Sequence, residues 1–249
     1  MFQVTVLGCG GSVGVPMIGC SCKVCKSNSL YNKRTRSAIF ISDENSNILV
    51  DFGFDIKDQI VQAEINKLDG AILTHDHADH VAGIDNLRLF TRIQQRPLNI
   101  YTDYTTAAAV EHRYQYLFTN KQLIMNSIGF FDKLNIGNLS LQLFRQHHGS
   151  IDSIGIRIKN FVYSSDIVDF PVESKQYLYN IEIWVLDCTG DQSSKTHAGL
   201  DKILQWNEEY QPQQIFLTNM QHTIDYHEIS TRLPKNIRPL YDGYKFIVN

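Results

Sequence analysis

The segment Thr74-His75-Asp76-His77-Ala78-Asp79-His80 constrains this chain more than any other, because it has the form H-x-H-x-D-H. Three imidazoles and a carboxylate crowd into one turn, directly after the short apolar run Ala71–Leu73. Borderline metals such as zinc favour this mixture of nitrogen and carboxylate oxygen. A turn leaving a strand can wrap His75, His77, Asp79 and His80 around two neighbouring points. A solvated polar loop seldom concentrates histidine this way, so a metal centre is expected here.

The remaining pattern alternates strands with helices. Strands are expected at Phe2–Leu7, at the pair Ala38–Ser42 and Asn47–Asp51 across a polar turn, and at Ala71–Leu73. Later strands are expected at Leu98–Tyr101, Leu139–Phe144, Ile154–Ile158, Phe161–Tyr163, Ile181–Leu186, Gln214–Leu217 and Tyr244–Val248. Helical spacing marks Asp55–Leu68, with Asp55 as N-cap, and helices are expected at Tyr104–Leu117 and Leu200–Glu209. The residues from Asn120 to Gly129 read as a variable loop near the site. No linker, repeat or low-complexity tract divides residues 1–249, so one domain of two sheets with helices outside is expected. His75, Asp166, Asp187 and Asn219 each fall at or just after a strand end, where loops present side chains to solvent.

Composition narrows the function. The formal charge is −3, from 23 basic and 26 acidic side chains, so nothing global attracts a nucleic-acid backbone. Nucleic acid is therefore a disfavoured partner. No apolar stretch reaches the length of a membrane span, and Met1–Gly19 lacks the basic start of a secretory signal. A cytoplasmic location is expected, and a homodimer is compatible with the sequence.

Four ligands in one turn do not complete two metal sites. His147-His148-Gly149 and Ser165-Asp166 each follow a predicted strand and supply the expected distant ligands. This order of motifs resembles the metallo-β-lactamase superfamily. The resemblance implies an α+β architecture, an αββα sandwich of two mixed sheets flanked by helices, with a metal pair at one edge. It implies that His75, His77 and His148 bind one ion, that Asp79 and His80 bind the second, and that Asp166 bridges. His148 is preferred to His147 because Gly149 follows it.

Cys20-Ser21-Cys22-Lys23-Val24-Cys25 is a second cluster, and three thiolates so close can hold a zinc ion if a fourth ligand arrives. With Gly8-Cys9-Gly10-Gly11-Ser12-Val13-Gly14-Val15-Pro16 before it, the segment resembles the start of the phosphoribosyl cyclic phosphodiesterase group. Leu186-Asp187-Cys188, Thr196-His197, Leu217–His222 and Tyr241-Asp242-Gly243 extend that likeness along nearly the whole chain. It implies a structural zinc on Cys20, Cys22, Cys25 and His222, and a catalytic assistant at His197. One departure stands out. The group carries T-H-x-x-H where this chain has Thr218-Asn219-Met220-Gln221-His222, so Asn219 replaces an imidazole at the second ion. That ion should be weaker, absent, or a harder metal such as manganese. In a competing reading, His222 serves the active site and the cysteines lack a fourth ligand.

The resulting expectation is a metal-dependent hydrolase using zinc or manganese, one or two ions, plus a structural zinc. Its nucleophile would be metal-bound hydroxide oriented by Asp79 or Asp166, with His197 assisting. The favoured activity is cleavage of a small cyclic or nucleotide-like phosphodiester. The alternatives are a tRNA 3′-processing endonuclease, a thioester or lactam hydrolase, and a metal-stabilised binding protein without catalysis. Gly8–Gly14 lacks the Lys-Ser/Thr ending of a P-loop and reads as a tight turn near the metals. Asp51 is read as a hydrogen-bond partner of a ligand histidine.

Overall fold

Alternation of apolar side chains decides the layering. In Asn47–Val50 (β3), Ile48 and Val50 join the large central core while Leu49 joins a second cluster beneath helices. Successive strand side chains point to opposite faces, so a strand apolar at every position must be covered on both. The computed structural model describes residues 1–249 and satisfies this demand with two seven-stranded sheets.

The first sheet contains Phe2–Gly8 (β1), Ala38–Ser42 (β2), β3, Gly70–Ile72 (β4), Leu98–Asp103 (β5), Leu123–Ile128 (β6) and Lys245–Val248 (β14). Its order is β14-β1-β2-β3-β4-β5-β6. The second contains Lys133–Ile136 (β7), Leu139–His148 (β8), Ile151–Ile158 (β9), Phe161–Ser164 (β10), Ile183–Asp187 (β11), Gln214–Thr218 (β12) and Ile237–Pro239 (β13), in exactly reversed sequence from β13 to β7. Both are mixed: β2 and β3 pair antiparallel with Ser42 opposite Asn47, whereas β3 to β6 run parallel. The core between the sheets draws on both, from Val4, Ile39 and Ile48 to Leu143, Ile156 and Val185. Helices cover the outer faces: Ile56–Gln62 (α1), Ala78–Val81 (α2), Arg88–Gln94 (α3), Tyr104–Arg113 (α4), Gln115–Thr119 (α5), Val172–Lys175 (α6), Leu200–Tyr210 (α7) and Tyr226–Arg232 (α8). This is the expected αββα sandwich. No helix is long and apolar enough to cross a membrane.

Several local expectations differ. The loop expected at Asn120–Gly129 contains β6, an edge strand whose single partner leaves it half exposed, so it shows no clean apolar rhythm. The helix expected over Tyr104–Leu117 breaks at Tyr114, where φ is −123° and ψ 37°. Asp55 does precede α1 but makes no side-chain cap; its carboxylate accepts instead from Arg36. Strand β8 continues through His148 rather than ending at Phe144.

Candidate metal centre

The extension of β8 separates its two histidines. Adjacent residues on a strand face opposite sides. His148 is 2% exposed and turns inward, while the His147 side chain is 42% exposed and meets the Asp152 carboxylate at 2.9 Å. Gly149, at φ 68°, then makes the tight turn into β9. The H-x-H-x-D-H turn arrives from β4 on the other sheet. Its approach depends on Gly53, where a Cβ would lie 1.7 Å from the Asp79 carbonyl oxygen.

Hydrogen bonds set the tautomers. The Thr74 hydroxyl donates to Asp51 at 3.0 Å, so it accepts from the His75 Nδ1–H at 3.0 Å. The other ring atom, His75 Nε2, is then a lone pair, fully buried and without any partner. Burial, reinforced by His80, holds this imidazole well below its ordinary pKa, in the neutral form a metal ligand requires. His148 donates Nδ1–H to the Thr196 carbonyl at 2.7 Å and aims Nε2 at His77 Nδ1, 3.2 Å away. His80 donates Nδ1–H to Asp51 at 2.8 Å, and its Nε2 meets Asp166 at 3.0 Å and Asp79 at 3.4 Å.

Ligand atoms of His75, His77 and His148 lie within 4.8 Å of one another, and so do those of His75, His80 and Asp166. Asp166 also stands 3.6 Å from His148 Nε2, between the two groups. Burial opposes ionisation of Asp166, but the His80 charge outweighs it and holds the carboxyl well below its usual range. An orphaned buried imidazole nitrogen, converging lone pairs and an ionised carboxylate fit divalent cations. Asp51, Asp166 and Asn219 all have positive φ, at 61°, 51° and 61°. Asp and Asn tolerate that region better than most side chains, and such backbone gathers at functional sites.

His197 stands beside this centre, its ring centroid 4.7 Å from that of His148. It donates Nδ1–H to Asp187 at 2.8 Å and lies 3.8 Å from Asp166. Burial disfavours its charged form, but the Asp187 carboxylate prevails and raises its pKa to about 9. Asn219 does not present its amide oxygen to the centre. That oxygen accepts from the Ser37 hydroxyl at 2.8 Å, while the amide nitrogen donates to Asp166 at 2.9 Å.

The second cluster assembles apart from the first. Cys20, Cys22, Cys25 and His222 place their ligand atoms within 4.8 Å of one another, with His222 Nδ1 3.6 Å from both Cys20 and Cys22. A backbone N–H from Cys25, then His222, lowers the Cys22 thiol to about 6, favouring thiolate. Sequence reasoning did not single out Arg34, which is 2% exposed and donates to the carbonyls of Gln221 and Ile224. It grips the segment that carries His222. Ser37 was also missed. A buried hydroxyl in a strand approach carries no signal until its partner is known.

Fold and site together define a member of the metallo-β-lactamase superfamily. A family model for the beta-lactamase superfamily domain matches residues 46–220, and the chain belongs to that superfamily. Within it, the chain is similar to a diphosphatase of the PhnP family, with TM-score 0.95, 27% identity, and coverage of 100% of this chain and 98% of the other. Zinc-bound PqqB from Methylobacterium extorquens shares the fold at TM-score 0.83 and 18% identity, covering 99% and 100% of the two chains. Among curated proteins, an octanoyltransferase of Porphyromonas gingivalis is 29% identical over 98% of this chain and 51% of its own length. A ribonuclease Z of Clostridium kluyveri is 31% identical over 36% of this chain and 25% of its own length. The chain thus spans about half of the first relative and a quarter of the second.

Proposed function

We propose that this chain is a phosphodiesterase acting on a small cyclic or nucleotide-like phosphate. The observation that carries the reading is Asp166, shared between two histidine groups with His197 at its side. Bound ions would lower the pKa of water to about 7 and neutralise phosphoryl charge. His75, His77 and His148 would hold one ion, and Asp79, His80 and Asp166 the other. Asp51 orients His80 and, through Thr74, His75. Asp187 orients His197 so that its remaining Nε2–H can neutralise the developing charge or protonate a leaving oxygen. The PhnP-family likeness supports this reading, and the short ribonuclease Z match supports a tRNA nuclease less well.

The test is hydrolysis of bis(p-nitrophenyl) phosphate and of nucleoside 2′,3′-cyclic phosphates, set against cleavage of a tRNA precursor. Turnover of the precursor alone would replace this reading with the nuclease. His197→Ala should lower kcat by about 10²–10⁴-fold, the usual contribution of general acid–base help, with metal content intact. Loss of metal in that variant would instead make His197 a ligand.

We assign a structural zinc to Cys20, Cys22, Cys25 and His222. Metal bound only by the folded state is folding free energy. Cys22→Ser should therefore release one ion and lower Tm by roughly 10 °C. An unchanged melting curve and metal count would refute the assignment.

A further inference from the structure

Gln146 on β8 and Ser153 on β9 are fully buried. Apart from His148 and Gly155, every other buried residue of these two strands is Leu, Ile or Phe. Gln146 and Ser153 stand opposite each other in the ladder, and Gln146 shares a strand face with His148, two residues further on. A polar pair thus interrupts an apolar layer on the hairpin that carries His148.

Their hydrogen bonds converge on one turn. The Ser153 hydroxyl donates to the Asp166 carbonyl at 2.8 Å. The Gln146 amide nitrogen donates to the Ser165 carbonyl and to the Ser153 oxygen, each at 3.1 Å. The hydroxyl proton and both amide N–H bonds are thereby used. Two successive carbonyls of the Asp166 turn are held from β8 and β9, and the Ser165 hydroxyl itself donates to the Asp166 carboxylate at 2.7 Å. Asp166 requires restraint, because its φ of 51° lies in the left-handed region that side chains disfavour. Gln146 Oε1 is buried without a partner, a cost that methionine or leucine would avoid. Turning the amide over would set Oε1 against the Ser165 carbonyl, so the nitrogen keeps its place.

We propose that Gln146 and Ser153 are positioning residues of the metal centre, clamping the Asp166 turn to the strands of His148 so that the carboxylate stands 3.0 Å from His80 and 3.6 Å from His148. The proposal rests on the metal assignment within the phosphodiesterase reading and on nothing about the substrate. Partners that orient a ligand from behind commonly change metal affinity 10- to 100-fold. Here the clamp acts on the ligand's backbone, which makes it invisible to any search for polar groups around the carboxylate.

The test is zinc binding by chelator competition on the full chain, without substrate, beside a melting curve. Gln146→Met keeps the volume and removes both the donors and the orphaned oxygen; Ser153→Ala removes the hydroxyl. Each should weaken zinc at the active site by about 10- to 100-fold while the cysteine cluster keeps its affinity. Ser153→Thr, which retains the hydroxyl, should recover most of the loss. Ser174→Ala is the reference. It deletes another buried hydroxyl bond to β8, to the Arg145 carbonyl at 2.6 Å, that does not reach the Asp166 turn. It should lower Tm and leave zinc affinity unchanged. A merely structural pair predicts that same pattern for Gln146→Met and Ser153→Ala, and affinity within about threefold of the parent in either folded variant overturns the proposal. An equal loss of affinity in Ser174→Ala also overturns it, since general loosening would then suffice. Zinc bound by the parent at the cysteine cluster alone overturns the metal assignment and the proposal together. A chain that binds zinc as expected but hydrolyses no phosphodiester would sink only the substrate reading.

Discussion

Asp166→Ala should lower phosphodiester turnover by at least about 10³-fold and release active-site metal, while the cysteine cluster keeps its ion. Asp166 is the one carboxylate within reach of both histidine groups, 3.0 Å from His80 and 3.6 Å from His148. Each factor of ten in rate corresponds to about 1.4 kcal/mol, and charge stabilisation by bound metal amounts to several kcal/mol. Losing the shared ligand would also leave the Asn219 amide without its acceptor. Elemental analysis beside steady-state kinetics reads both effects. A variant that retained two active-site ions and turned over within tenfold of the parent would show that Asp166 does not join the groups.

The second large effect is expected in the opposite direction. Asn219→His should tighten the ion that Asp79, His80 and Asp166 would hold by at least about tenfold, since even an outer hydrogen-bond partner commonly changes metal affinity 10- to 100-fold. In the present side chain both ends of the amide are occupied, by Ser37 and by Asp166. It therefore acts on the shared carboxylate instead of offering a ligand. The backbone does not forbid the change, because histidine, like asparagine, is enriched at positive φ, here 61°. Chelator competition titrations would measure the two active-site affinities separately. An unchanged weaker affinity would mean that position 219 does not govern occupancy.

These two residues also illustrate what was legible in the primary structure. Spacing within one turn exposed His75, His77, Asp79 and His80 as a cluster, since side chains gathered in one turn leave a local signature. The Cys20–Cys25 cluster was legible for the same reason. Strand alternation marked most of both sheets, because burial on one or two faces imposes a period on the chain. Edge strand β6 escaped, having little burial to record.

The sequence by itself determined the histidine-rich turn, the cysteine loop and the two-sheet layering, each written in short-range spacing. Only the tertiary structure decided the rest. Register along β8 turned His148 inward and His147 outward. The pairing of distant loops gave His222 to the cysteines and set the Asn219 amide between Ser37 and Asp166, while the fold of the loop after β11 placed Asp187 behind His197. Such choices depend on the direction of a side chain and the atoms opposite it. Those are fixed by sheet register and packing between segments more than a hundred residues apart, as Ser37 and Asn219 are.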